Sequence, residues 1–457
     1  MPTAMPINTH LGMRGTTDFT HASQRPFDWD STITKMFLNA DAPLTAFMNL
    51  LPSEKATDPR YIWYREDFPS QTGAITGITL ASTGANATTM AEGSTYKIKM
   101  SAQHVGFFRP RLIVMLRDRD DPINGMLRGR VLNMLEDGDN SYILVNMLEG
   151  STGTKAHTAG TVHTSFTRFS IIGDSNPEGG PPPRGIAYDP EEFYNYTQIS
   201  KTAIELTRTA EQTTLRHESE LVRQRANSLR DHAVKRERMF IYGARAKWVG
   251  DNGKAERTTG GLLWFLKNYA PKNMINFPDT VADGYWESTA CDDKAWEILE
   301  GKNWLTGGFS FLNLCLARIH RYGSQNSRIC FCGEGVIIAL QELAKFNSTI
   351  TLTPGTTNFG LDVVTWLSPF GKLHFKTHPL FKLDPVEQFS ALIIDPGSLK
   401  RKVIAETFTK KKDHKDGGND SLDGRFEEFI TEDGFKITIP ESCAYITGFG
   451  QNPPAAE

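Results

Sequence analysis

At 457 residues with 39% hydrophobic content, the chain is too long for one compact core and too apolar for disorder, so two or three subdomains are expected. Fifty basic against fifty-three acidic residues leave a formal charge of −3, which argues against a dedicated nucleic-acid binder, because neutralising phosphates calls for a basic excess. Five cysteines (Cys291, Cys315, Cys330, Cys332 and Cys443) are few and odd in number, the pattern of free thiols in a reducing compartment rather than of a disulfide framework.

The N-terminus has no basic stretch leading into an apolar core, so no signal peptide is expected, and apolar runs such as Val336 to Leu340 fall far short of the roughly 20 residues that span a bilayer. A soluble protein made inside the cell and without a membrane partner is the expectation. Residues 1 to 28 show neither helical nor strand period and read as an extended arm. Asp30 and Ser31 can cap a short helix through Leu38, and a second apolar stretch from Leu44 to Leu51 ends at Pro52.

From Tyr61 the pattern turns to strands. Tyr61 to Phe68, the alternation of Tyr96, Ile98 and Met100 with Lys97, Lys99 and Ser101, and Leu112 to Leu116 each read as a strand. Gln71 to Gly93 between them is rich in Gly, Ala, Thr and Ser. Val131 to Leu135 and Tyr142 to Leu148 flank a turn cluster whose Asp137-Gly138 supplies the positive φ of a hairpin. After a loop from Gly150 to His163 comes a strand at Phe169 to Ile172, then the strongest break in the chain, Asn176 to Pro183. Residues 60 to 200 thus form a β-rich block.

From Ile204 to Tyr242 there is no Gly or Pro. Leu215, Val222, Ala226, Leu229, Ala233 and Phe240 recur at steps of three, four or seven, which predicts one continuous helix of about 55 Å with a narrow apolar stripe, stopped by Gly243. Seven basic residues between Arg216 and Arg238 outnumber four acidic ones, but the interleaved signs favour a solvated, ion-paired face, with contact to DNA as the second reading. Beyond Gly260-Gly261, Phe311 to Ile319 reads as a helix with Leu312, Cys315, Leu316 and Ile319 on one face. Arg328 to Cys332 reads as a strand and Val336 to Ala344 as a helix. Leu361 to Trp366, Lys372 to His378, Ala391 to Ile394 and a final pair within Phe426 to Ile439 read as strands, with Lys410 to Gly424 as a polar excursion.

No catalytic, cofactor or metal site emerges. His374 and His378 are four apart on a predicted strand without a His-Glu-x-x-His pattern, and Cys330-Phe-Cys332 has no second cysteine pair, so core or surface roles outweigh metal binding. Gly150 to Lys155 lacks the spacing of a phosphate loop, and the Glu-Gly pairs at Glu92, Glu178 and Glu334 cannot be brought together from sequence.

Glu178-Gly179, Asn195-Tyr-Thr-Gln198-Ile199, Thr207 to Glu211, Tyr242-Gly243 and Arg257-Thr-Thr-Gly-Gly-Leu262, in that order, resemble the major capsid proteins of tailed bacteriophages with the Hong Kong 97-type fold. Phe370 to Pro379 and Glu432-Asp-Gly-Phe through Gly448 are similar to that branch's last strands. The resemblance implies an α+β fold with a long spine helix, an E-loop and, because residues 73 to 190 exceed a plain hairpin, an inserted β-rich lobe. It implies an N-terminal arm with short helices at 1–55, the E-loop region with its lobe at 56–200, a peripheral domain at 201–260 completed by return strands at 386–457, and an axial domain at 261–385. The stripe of the spine helix is expected against the peripheral sheet. The implied function is that of a head protein without enzymatic activity, self-assembling through hexameric and pentameric capsomers into an icosahedral shell around double-stranded DNA. The partners implied are further copies of itself, the packaged DNA by non-specific contact, and portal, scaffolding or decoration proteins. An encapsulin-type compartment shell is the alternative within the fold. An enzyme with a Cys/His site is the alternative outside it.

Overall fold

In the computed structural model the described residues are 53–66, 71–85, 90–118, 126–150, 166–180, 185, 187, 189–213, 219–282, 285, 293–323, 326–346, 352–358, 361–412 and 424–452. The expected N-terminal arm and its two short helices, Cys291, and most of the loops at 150–163 and 413–423 lie outside them. Residues Tyr64–Phe193 form one compact unit, and the rest of the described chain forms the other. The chain crosses between them within strands β2 (Arg60–Arg65) and β10 (Glu191–Tyr196), after β1 (Ser53–Lys55).

The Tyr64–Phe193 unit is a seven-stranded sheet of order β3-β9-β6-β7-β8-β5-β4, built from β3 (Thr72–Ala74), β4 (Gly77–Leu80), β5 (Thr95–Lys99), β6 (Leu112–Asp118), β7 (Met126–Leu135), β8 (Tyr142–Met147) and β9 (Phe166–Asp174). Period-two alternation does the work. Ile143, Val145 and Met147 point into a core with Tyr96, Ile98, Val114 and Leu116, while the intervening residues face outward. Gly138 takes the positive φ the hairpin needs, as expected. Gly129 allows β7 to pass β8, since a Cβ there would meet Val145 Cγ1 at 2.3 Å.

In the other unit, β11 (Gln198–Thr207) runs antiparallel to β21 (Gly424–Ile437), which pairs with β20 (Leu399–Lys412) and through it with the short β1. A second, seven-stranded sheet has the order β14-β22-β19-β15-β18-β17-β16: β14 (Met274–Asn276), β15 (Ser327–Cys332), β16 (Leu352–Asn358), β17 (Leu361–Ser368), β18 (Gly371–Thr377), β19 (Ala391–Ile394) and β22 (Ala444–Thr447). Helices Trp304–Ile319 and Glu334–Phe346 pack on it, burying the predicted Leu312, Cys315, Leu316 and Ile319 with Val336 and Leu340. The first of these starts seven residues before the predicted Phe311, because Asn303 caps it by accepting the Thr306 N–H at 3.0 Å.

Two expectations about where elements begin and end are overturned. The continuous helix from Ile204 does not exist: Ile204–Thr207 end β11, Thr207 caps a short helix α1 (Arg208–Gln212), and the spine helix α2 begins at Glu220 and ends at Tyr242. Lys201 to Thr207 alternate with period two beside a strand that needs a partner, and β pairing overrides the absence of Gly and Pro. At 23 residues the spine is about 35 Å long. The final pair of strands within Phe426 to Ile439 is one strand of 14 residues, β21. Its Asp433-Gly434 makes no turn. Gly434 is there because a Cβ would sit 2.6 Å from the Tyr61 hydroxyl.

Candidate functional site

The spine helix meets its sheet through polar residues as well as apolar ones. Val222 and Leu229, placed by sequence against the sheet, are 54% and 48% exposed, and Leu215 lies outside the described residues. Of the predicted stripe only Phe240 is fully buried; the helix instead buries Leu221, His232, Arg236, Glu237, Met239 and Ile241 beside it. The stripe is divided: Val222 and Leu229 are exposed, while Phe240 packs beside Phe435 of β21, ring centroids 6.2 Å apart.

Opposite the helix, the buried alternation of β21 runs Glu427, Phe429, Thr431 and Asp433, three of its four residues polar. Arg225 Nε donates to Glu427 Oε2 at 2.6 Å, and its Nη2 reaches the other carboxylate oxygen. His232 lies between two hydroxyls, Nδ1 at 3.1 Å from Thr202 Oγ1 and Nε2 at 2.8 Å from Thr431 Oγ1. Arg236 Nη2 pairs with Asp433, which also faces Arg401 Nε at 3.5 Å. The steps 225 to 232 to 236 advance about 10 and 6 Å along a helix, and 427 to 431 to 433 advance about 13 and 7 Å along a strand. Two rulers this close in spacing form a key: slide the helix by one turn and every pair is lost.

The electrostatics follow from burial and partners. The Arg225 guanidinium holds the Glu427 carboxyl below the usual carboxylate range. Burial, reinforced by Arg236 and Lys235, lowers the proton affinity of His232 and keeps it neutral near pH 7. Burial raises that of Asp433 against the pull of Arg236 and Arg401. On the far side of the sheet, Lys400 and Lys402, with Lys436 beyond them, draw the Glu54 carboxyl down to about 2 and fasten β1 to β20.

The two chain segments flanking the helix clasp each other. Asn195, fully buried, donates from Nδ2 to Thr259 Oγ1, the Gly260 carbonyl and the Phe435 carbonyl at 2.7–3.1 Å, and its Oδ1 accepts the Gly260 N–H at 2.8 Å. Gln198 Oε1 accepts the Thr259 N–H. Gly261 permits the closure, since a Cβ there would stand 2.8 Å from both the Met239 and Phe240 carbonyl oxygens. Arg245 is stacked between the rings of Tyr194 and Trp264, 3.7 and 4.3 Å from their centroids. The sequence elements Asn195-x-x-Gln198 and Arg257-x-x-Gly-Gly-Leu262 are thus two halves of one joint.

The remaining candidates are packing residues. His378 is not on the strand: it caps the helix Pro379–Leu383, its Nδ1 accepting the Leu380 N–H, so Nε2 carries the proton and donates to Glu237 Oε1 of the spine at 2.7 Å. His374 bonds Thr365 Oγ1 at 2.9 Å. Cys330 and Cys332 are buried in the core with Cys315. Glu334 pairs with Lys382, while Glu92 and Glu178 are exposed. Among the described residues no group of three or more His, Cys, Asp or Glu is placed to hold a metal, and no helix is long and apolar enough to cross a membrane. Sequence reasoning missed Asp433, Glu427, His232 and Arg401. The legible signal is Glu427, Thr431 and Asp433 on the buried alternation of β21, beside Phe429 and Phe435, where a core strand would carry aliphatics throughout.

A helix keyed and clasped onto a sheet by buried polar pairs, with Val222 and Leu229 exposed, is the framework of a structural protein. The family model described as SU10 major capsid protein matches residues 12–449, and the chain belongs to that family. Its helices and sheets make an α+β fold, and its function is that of a phage major capsid protein, a self-assembling component of the virion capsid. The chain is similar to the "Major capsid protein" of Pseudomonas phage PaMx41, 23% identical over 343 residues, 71% of this chain and 76% of that one. Among solved structures it is similar to one of Mycobacterium phage Bobi, at 8% identity and TM-score 0.42 over 93% of this chain and 96% of that one. It is also similar to the holo-SrpI encapsulin complex from Synechococcus elongatus PCC 7942, at 10% identity and TM-score 0.35 over 59% and 79%.

Proposed function

We propose that copies of this chain, arranged as hexameric and pentameric capsomers, close into an icosahedral shell around double-stranded phage DNA in the cytoplasm of the host. The family match across residues 12–449 is the observation that carries this reading. The keyed helix supports it physically: a subunit wall must stay rigid while its outer faces are free to pair with neighbours, and the buried polar register supplies that rigidity. In this reading residues 1–55 are the N-terminal arm, 56–200 the E-loop with an inserted β lobe, 201–260 and 386–457 the peripheral domain, and 261–385 the axial domain. Portal, scaffolding or decoration proteins are its further partners, and the protein has no catalytic role. DNA contact is non-specific, in keeping with the charge of −3.

Electron microscopy of the purified chain is the direct test. Closed shells, with nuclease-resistant DNA in particles isolated from infected cells, are expected. Particles that enclose protein cargo and no DNA would move the reading to a compartment shell, and a chain that stays monomeric under all assembly conditions would overturn it.

A further inference from the structure

The two most exposed large hydrophobic side chains among the described residues, Val249 at 74% and Val386 at 75%, stand in opposite electrostatic settings within one unit. Val249 ends β12 (Ala246–Val249), which among the described residues pairs only with β13 (Ala255–Thr258) in a two-stranded ribbon; β12 is exposed along its whole length. The register sets Lys247 opposite Arg257 and Val249 opposite Ala255, so all four share one face. Neither cation has a carboxylate partner among the described residues. Like charges directly across a ladder are destabilising, and an isolated two-stranded ribbon is marginal in water. This ribbon therefore lacks both an anion and a surface.

Val386 has the complementary shortage. It lies just beyond the helix Pro379–Leu383, with Leu383 also exposed and Asp384 and Glu387 on either side. Asp384 Oδ1 accepts the Val386 N–H at 2.9 Å, and Glu387 Oε2 accepts from the Tyr445 hydroxyl at 2.8 Å. Neither carboxylate has a cation partner among the described residues, and burial together with the Asp384 charge raises the proton affinity of Glu387.

We infer that the Lys247, Val249 and Arg257 face of the β12–β13 ribbon of one copy docks on the Leu383–Glu387 turn of a second copy of this chain. Each patch supplies what the other lacks: two unpaired cations beside an exposed valine meet two carboxylates beside another. A polyanion such as DNA would take the ribbon but leave the acidic, apolar turn uncovered, so a second copy is the occupant that accounts for both. The contact joins two different patches, and such heterologous contacts, repeated, form rings when the rotation between copies closes. The inference rests on the capsid reading and specifies one of its interfaces.

Assembled shells of a Val249→Cys/Val386→Cys variant, oxidised mildly and run without reductant, test it. The described native cysteines are buried, so background is low. A ladder of covalent multimers is expected, absent from either single variant. In parallel, Lys247→Asp and Asp384→Lys should each slow assembly followed by light scattering roughly tenfold, and the two together should restore most of the rate. The cysteine variant keeps every charge and stays informative if a charge variant misfolds. Shells that form at the wild-type rate from Lys247→Asp, a cysteine variant that stays monomeric within shells, or a bridge formed inside one chain would each overturn this contact while leaving the capsid reading intact. Wild-type chain that never forms shells would overturn the capsid reading itself.

Discussion

Arg236 of the spine helix and Asp433 of β21 form an ion pair with almost no solvent exposure on either side chain, and Arg401 approaches the same carboxylate from the neighbouring strand. Removing the acid leaves the buried Arg236 guanidinium without its carboxylate, beside an Arg401 that keeps Glu406. Asp433→Asn should lower stability by about 3–5 kcal/mol, read from the urea midpoint, because the loss of one partner exposes the full burial penalty of the other. Arg236→Met combined with Asp433→Leu should recover most of that loss. A double variant as unstable as Asp433→Asn would show that the pair itself, not the unpaired charge, holds the helix.

His232 gives the key a pH dependence. Its proton affinity is lowered on folding, so the unfolded chain binds more protons between the folded value and the ordinary value near 6.5. Its contribution is fully present above pH 6.5 and falls as pH drops below it. Glu427, also lowered, contributes stability above the ordinary carboxylate value that is lost at lower pH still. Denaturation midpoints of the wild type should therefore decline from pH 6.5 to 5, and His232→Gln should reduce that slope, with His104, His320 and His374, also lowered by burial, supplying the rest. An unchanged slope would remove His232 as its source.

The Asn195 clasp predicts a defect far from any surface. Asn195→Ala strands the Gly260 N–H in the interior, while the Phe435 carbonyl keeps the Tyr61 hydroxyl as donor, and about 1–3 kcal/mol should be lost. Gly261→Ala places a methyl against two carbonyl oxygens of the spine helix and should cost about 1–3 kcal/mol through overpacking. Hydrogen exchange should show both lesions first at the C-terminal turn of the helix, residues Met239 to Tyr242.

Glu54 holds β1 to the sheet through its lysines. Its folded value near 2 means that its contribution is present above the ordinary carboxylate value and is lost as pH falls toward 2. Glu54→Gln should remove about 1 kcal/mol at neutral pH, a modest loss because the site is partly solvated, and the loss should shrink in acid.

Val222→Ser and Leu229→Ser provide the contrast. Both side chains are exposed on the subunit, so each change should alter its stability by no more than about 0.5 kcal/mol. Loss comparable to Asp433→Asn would restore the apolar stripe as the packing face.

The amino-acid sequence by itself determined the elements whose cause is local. The β7–β8 hairpin follows from alternating aliphatics and the φ freedom of Gly138, and the helices over Leu312 to Ile319 and Val336 to Ala344 follow from an apolar face repeating every three or four residues. It also carried the family signature, since Asn195, Gln198 and Arg257 to Leu262 are themselves the residues of the joint. What the tertiary structure decided is which face of the spine helix is inside and where that helix begins. Ile204–Thr207 are strand because β21 offers them a partner, and Val222 and Leu229 face outward because Glu427, Thr431 and Asp433 demand Arg225, His232 and Arg236 opposite them. Period alone marks a stripe on a helix. Only the residues across the gap, about two hundred positions away in the chain, say whether the stripe or the charges are buried.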